Sequence, residues 1–335
     1  MKKVLSLAIA AALVAPAAAM ADATLFGKAH FIIENVDDGD NDVWGVDSIH
    51  SRIGVKGSED LGGGLKALYH FEFKVHQDDG ADGLGDRNQF IGLAGGFGTA
   101  LLGRHDTPMK MSQGKFDEFG DLPNGDLANV IPGDDRVDNV IAYVSPAMGG
   151  LTFVGALVSG ERADIDLDGP ADHISLAGLY SNGPIFASLA YNSYDLGSVN
   201  IEPSLIRGTL VWNGGMWQAG IMYSAMDLDI SGVDDPDYLG LSGHVKVGSA
   251  GKVKAQYLYG ESTNGGVSAL VPGFTPNVNV GMPVADPENE VTQFSVGYEH
   301  AMSKRTIAHV GYTSYEEDET DVESDAFFAG LIHNF

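Results

Sequence analysis

The strict alternation of two kinds of connection constrains this chain most. Short glycine-rich turns and long polar stretches follow one another, separated by segments in which every second side chain is apolar. The short set is 60–65 (DLGGGL), 94–98 (AGGFG), 145–150 (SPAMGG), 181–184 (SNGP), 213–216 (NGGM), 248–252 (GSAGK) and 300–304 (HAMSK). Gly and Asn accept the positive φ that such tight turns need. The long set covers 35–46, 77–86, 106–135, 160–172, 195–203, 226–238, 260–290 and 315–324. Seven turns and eight loops join sixteen strands, with both chain ends on the turn side. An even strand number with short turns at one end and long loops at the other is the layout of a membrane β-barrel.

The segments between the connections have period two. Ala67, Tyr69, Phe71, Phe73 and Val75 fall on one face, Lys66, His70, Glu72, Lys74 and His76 on the other. Trp217, Ala219, Ile221 and Tyr223 alternate with Gln218, Gly220, Met222 and Ser224. Val253, Ala255, Tyr257 and Tyr259 alternate with Lys252, Lys254 and Gln256. Side chains two apart in a strand share a face. The fold expected is therefore all-β: a transmembrane antiparallel β-barrel of sixteen strands.

Residues 1–21 read as a secretory signal peptide: Lys2 and Lys3, a short apolar run from Val4 to Val14, then the small-x-small ending Ala19-Met20-Ala21. Cleavage there leaves one barrel domain, 22–335. The apolar run is shorter than the ~20 residues a spanning helix needs. With no Cys, disulfides and thiolate sites are excluded. A net charge of −27 excludes a nucleic-acid binder, which needs a basic surface. The acidity is concentrated: 37 of the 46 acidic residues lie in the eight long loops, beside Lys110, Lys115 and Arg162 alone among basic residues. Solvated loops of this kind also give a channel mouth a negative potential.

These features resemble the general trimeric porins of Gram-negative outer membranes. The stretches that carry the likeness are 24–30 (TLFGKAH), 51–65 (SRIGVKGSEDLGGGL), 90–93 with 102–104 (FIGL, LGR), 136–146 (RVDNVIAYVSP) and the terminal Phe335. The resemblance implies a homotrimer of barrels in the bacterial outer membrane, each with a water-filled pore. It further implies contact with outer-membrane lipid and lipopolysaccharide, and delivery to the barrel-assembly machinery through Phe335. It also implies that the third external loop folds inward to narrow the channel.

Loop 106–135 suits that role, because a connection so long in a compact fold is usually functional. Phe116 and Phe119 are expected to anchor it to the wall, with Asp117, Glu118, Asp121 and Asp126 forming an acidic edge toward the lumen. Loop 260–290 is as long but poor in charge and is expected to cover or flank the mouth. Opposite the acidic edge, parity puts Lys28, Arg52, Arg87, Arg104 and Arg136 on the polar face, Arg136 preceding an outward Val137. In the resembled family, basic residues matching Lys28, Arg52, Arg87 and Arg136 face the loop. The function expected is passive passage of small hydrophilic solutes and ions, with cations favoured by the excess of carboxylates.

The alternatives are a substrate-specific sugar or ion channel, an enzyme carried on a barrel, and a plugged structural barrel. A sugar channel needs aromatics on the inner face, and here they mostly fall outward. An enzyme needs converging Asp/His or Ser/His groups. The adjacent pairs His105–Asp106 and His173–Asp172 point to opposite faces of a strand, so no catalytic residue is expected. The runs around Asp37–Asp42, Asp164–Asp168 and Glu316–Asp321 lack EF-hand spacing and are read as solvated loops open to divalent bridging of lipid headgroups. No HExxH, GxSxG or P-loop is present, and no cofactor is expected.

Overall fold

A computed structural model describes residues 23–75, 84–231, 234–261, 290–318 and 322–335. The expected signal peptide, most of loop 260–290 and much of loop 77–86 lie outside the described residues.

The first half of the barrel is β1 (Thr24–Asp37), β2 (Asp42–Ser48), β3 (Arg52–Gly62), β4 (Leu65–Val75), β5 (Leu84–Gly95), β6 (Gly98–Asp106), β7 (Arg136–Val144) and β8 (Leu151–Val158). The second half is β9 (His173–Asn182), β10 (Ile185–Tyr194), β11 (Ser204–Asn213), β12 (Trp217–Asp227), β13 (Asp237–Val247), β14 (Gly251–Glu261), β15 (Glu290–Ala301), β16 (Thr306–Glu317) and β17 (Val322–Asn334). Neighbours pair antiparallel, and β1 pairs with β17 to close the sheet. β2 and β3 both pair with β1 and form one stave, broken where His50 takes φ +46°. Seventeen segments thus make sixteen staves, as the sequence predicts. Among the described residues every strand but β2, which pairs with β1 alone, has a partner on both sides, so almost no edge is left to seek another chain.

Each wall has an apolar outside and a mixed inside. Ile91, Leu102, Phe153, Leu189, Ile221 and Phe327 are exposed on the outer face. Gln218 and Ser224, which alternate with Ile221 on β12, and Lys254 and Gln256, which alternate with the exposed Val253 and Tyr257 on β14, are buried within. An apolar belt of this extent requires lipid around it. Among the described residues no helix is long and apolar enough to cross a membrane, so the strands make the crossing. The turns form where glycines permit, as at Gly62, Gly63 and Gly64, all with positive φ. Phe335 closes the seam by exchanging two 3.1 Å backbone hydrogen bonds with Gly27.

The segment between β6 and β7 opens with a helical turn, α1 (Pro108–Met111), capped by the Thr107 hydroxyl accepting from the Lys110 amide at 3.1 Å. It then runs across the inside of the barrel. Phe116 and Phe119 are both 0% exposed. Phe116 lies where Gly220 and Gly240 carry no side chain, and Phe119 lies against Gly297. Met109, Leu127 and Ile131 join Leu205, Met222 and Leu258 of the wall in one apolar cluster. The two phenylalanines are therefore the anchors the sequence suggests.

Candidate functional site

The loop carries its charges to two separate groups of cations. At one, the Asp121 Oδ2 accepts from Lys28 Nζ at 3.3 Å and Oδ1 meets the His50 ring. Burial alone would raise the Asp121 carboxyl; the His50 contact and the nearby Lys28 and Arg52 charges outweigh it and hold the group well below the usual carboxylate range.

At the other, Glu118 is pinned to β12, β13 and β14. Its Oε1 lies 2.5 Å from His244 Nδ1 and 2.8 Å from Gln218 Nε2, and Oε2 lies 3.2 Å from Lys252 Nζ. Its amide donates to Gln256 Oε1 at 2.9 Å, and its carbonyl accepts from Lys254 Nζ at 2.6 Å. Glu299 balances both lysines, at 2.9 Å from Lys252 and 2.8 Å from Lys254.

Asp117 and Asp126 do not present carboxylates to the lumen, contrary to the sequence expectation. Asp117 accepts the Phe119 amide at 2.9 Å, and Asp126 accepts those of Ala128 at 2.8 Å and Asp121 at 2.6 Å. Both satisfy the loop's own backbone, the usual duty of an aspartate two residues before a turn amide. Burial, reinforced by Asp126, raises the Asp117 carboxyl to about 8. Burial and Asp134 raise Asp126 as well.

Facing Asp121, the inner wall carries a row of cations. Lys28 on β1 and Arg52 on β3 are cross-strand partners in the register. Arg87 on β5 binds Glu72 through Nε, and Arg52 lies 4.0 Å from the same carboxylate. Lys74, opposite Arg52 on β4, adds a further cation beside it. Arg136 stands at the loop root, 2.8 Å from Asp106 and 3.0 Å from the Asn88 amide oxygen.

Arg104 is a correction. It shares the parity of the exposed Ala100 and Leu102, lies opposite Gln89, and pairs at 2.8 Å with Asp138, a largely exposed carboxylate. It sits on the outer face and meets neither Asp121 nor Arg52. Val137 is also corrected, being buried with Leu101 and Val140 instead of facing outward. Two residues of β7, Asp138 and Asn139, stand opposite Arg104 alone, and Asn139 has φ +58°. This β-bulge reverses the alternation on which the expectation for Val137 rested.

Other contributors escaped the sequence reading. Arg207 on β11 is completely buried. It donates to Ser224 Oγ at 3.1 Å, the Met109 carbonyl at 3.4 Å and the Pro132 carbonyl, so it clamps both limbs of the loop. A lone arginine on an apolar strand was the signal that would have found it. His50, Glu72, His244, Lys252 and Lys254 were likewise absent from the expected site. Among the described residues no group of three His, Asp or Glu is placed to hold a metal ion.

A closed barrel with an apolar exterior, and a charged interior crossed by one loop, defines a transmembrane β-barrel channel. A family model described as Gram-negative porin matches residues 7–320. Outer membrane porin protein 32 of Delftia acidovorans is 30% identical over 336 residues, 92% of this chain and 88% of that protein. The chain belongs to the Gram-negative porin family and is an outer-membrane protein. Among solved structures, the anion-selective porin from Comamonas acidovorans superposes with TM-score 0.72 at 22% identity, covering 94% of this chain and 100% of that one. The in-vitro folded trimer form of OmpT, an outer membrane protein of Vibrio cholerae, gives TM-score 0.65 at 16% identity, covering 94% and 99%.

Proposed function

We propose that this porin is a passive diffusion channel for small hydrophilic solutes and ions. The loop 106–135 sets the size limit, and the row Lys28, Arg52, Arg87 and Arg136 facing Asp121 forms the constriction. What supports the reading is the run of cations along the inner wall with the Asp121 carboxylate set against its Lys28 end, an arrangement of opposite charges whose field acts on dipolar solutes.

Ion preference then has two sources of opposite sign. The acidic loops draw cations to the mouth, as the sequence suggests. In the constriction Glu118 and Asp121 are engaged by cations, while Asp117 and Asp126 serve the backbone. Arg52 and Lys74 stand side by side, which favours anions there. Screening shortens from ~30 Å at 0.01 M salt to ~3 Å at 1 M, so the distant loops fade before the constriction does. The cation preference expected from sequence thus belongs to dilute salt. The anion-selective relative supports the other half.

The same reading includes a cleaved leader at 1–21, a homotrimer, lipopolysaccharide contact and assembly through Phe335. At the adjacent pair His105–Asp106 the carboxylate does not orient the imidazole. His105 Nδ1 meets the Asp106 carbonyl at 2.7 Å, while the Asp106 carboxylate is taken by Arg136 and Asn88. The test is the zero-current potential across KCl gradients in a planar bilayer. Stable steps favouring K⁺ in dilute salt and shifting toward Cl⁻ in concentrated salt are expected. No steps from folded protein would sink the channel reading, and an unchanging K⁺ preference would sink the part assigned to the constriction.

A further inference from the structure

A second row of side chains lies nearer the turn end of the barrel than the cations, Phe26 by one step from Lys28 and Arg52, and His70 and Phe90 by two. Phe26, His70, Phe90 and His105 follow one another around the inner wall, with ring centroids 5.2, 5.3 and 5.1 Å apart. They come from β1, β4, β5 and β6. β3 lies between the first two and contributes Gly54, whose missing Cβ leaves room for the Phe26 ring to cross and reach His70. His70 and Phe90 are stacked within 2° of parallel. Lys56 holds its ammonium 5.0 Å from the Phe26 centroid. Phe26, His70 and Phe90 are half-buried. This shelf also qualifies the expectation that the aromatics mostly lie outward.

Shelf and cations share strands and spacing. Phe26 precedes Lys28 by two residues, Gly54 follows Arg52 by two, and His70 precedes Glu72 by two. Residues two apart on one face lie ~7 Å from each other. Arg52 and Lys74 are directly opposite in the register, a like-charge pair that costs stability unless an anion sits between them. Glu72, held by Arg87 and 3.5 Å from His70, stands between the shelf and the Arg52–Lys74 pair; it lies 4.0 Å from Arg52, which keeps donors for another acceptor.

We propose that this part of the wall is a binding station for small aromatic carboxylates. The carboxylate is taken by Arg52 and Lys74 and the ring lies along Phe26, His70 and Phe90. The ring of a benzoate-like anion held at Arg52 meets the Phe26 ring first, and His70 and Phe90 lie one step beyond it. An aromatic cation meets repulsion from the same residues, and an aliphatic acid of equal size gains the charge contact without the ring geometry. A brief stop of this kind raises flux from dilute solution, because transport needs binding that is favourable yet readily reversed. The proposal rests on the channel reading above and adds the solute class.

The experiment is block of KCl current through the intact protein in a planar bilayer by benzoate, cyclohexanecarboxylate and benzamide. Benzoate is expected to interrupt the current at concentrations about three- to tenfold lower than cyclohexanecarboxylate, a ratio typical of a ring–ring contact. Benzamide should be weaker than benzoate. Phe90→Leu and Phe26→Leu should erase the difference between the two acids, and Phe90→Tyr, which keeps the ring, should preserve it. Equal block by the two acids in the unmodified protein, or a difference that survives both leucine variants, overturns the station while the porin stands. Benzamide equal to benzoate overturns the role of Arg52 and Lys74. Absence of any conducting steps overturns the station and the channel together.

Discussion

Lys28 on β1 and Asp121 on the inward loop meet at 3.3 Å across 93 residues of chain. The contact ties the loop to the first stave of the barrel and puts a carboxylate beside the constriction cations. Both side chains are largely withdrawn from bulk water, so the pair is screened less than an exposed one.

Asp121→Asn removes that carboxylate with little change in shape. It leaves Lys28 and His50 without their anion and adds to the positive balance facing the lumen. The zero-current potential of the variant should move toward Cl⁻, and its open-channel noise should rise as the loop loosens. A potential equal to that of the unmodified protein would show that Asp121 only pins the loop.

Asp117 and Asp121 lie four residues apart and respond to acid in opposite ways. The Asp117 carboxyl is raised to about 8, chiefly by burial. Its fit in the fold is complete below the ordinary carboxylate value near 4 and is progressively lost as pH rises through about 8. Asp121, held below its ordinary value, keeps its pair with Lys28 down to strong acid. Lowering pH from 8 toward 5 should therefore quieten loop fluctuations without releasing Asp121. Asp117→Asn, neutral at every pH, should flatten this dependence in open-channel noise. A variant with the unmodified protein's pH profile would assign the effect to another group, Asp126 first.

Much of the barrel was legible because alternation is a local property. The faces of β12 and β14 follow from Trp217, Gln218 and Lys254 without knowledge of their neighbours. Lys28 and Arg52 could be assigned to one face for the same reason, having small or apolar outward neighbours, and the register makes them cross-strand partners. The bulge at Asn139 broke the rule near Val137, although an Asp-Asn pair tolerant of positive φ was visible. Arg104 was misread more simply, since Ala100 and Leu102 already marked its face as outward. The roles of His244 and Lys252 were hidden because Glu118 lies 126 and 134 residues away. For Asp117 and Asp126, composition cannot say whether a carboxylate faces water or a nearby amide. The amides two residues on were the only local hint.

Phe119→Ala tests the anchor. The ring is completely buried and lies 4.4 Å under the Lys254 ammonium, so truncation removes packing and a cation–π contact together. Losses of ~3–5 kcal/mol are usual for such a substitution. The loss falls on the loop, because the stave-to-stave hydrogen bonds are untouched. The variant should keep the slow, folded gel mobility of the barrel on heating while its conductance rises and becomes noisy. A drop in barrel heat resistance with steady conductance would show that the loop holds the barrel and not its own position.

Arg87 and Arg104 provide the sharpest comparison, because the sequence assigned both to one row and the fold separates them. Arg87 is buried on the inner wall against Glu72, whereas Arg104 pairs outside with Asp138. A charge outside the barrel is divided from the lumen by the wall and contributes little to the field an ion meets inside. Arg104→Gln should leave conductance and the zero-current potential unchanged within error. Arg87→Gln removes one inner cation and leaves Glu72 with less compensation, so the potential should move toward K⁺, most visibly in 1 M KCl where loop charges are screened. Equal shifts in both variants would return Arg104 to the lumen. A shift in neither would move the seat of selectivity away from this row, to Lys28 or the cations around Glu118.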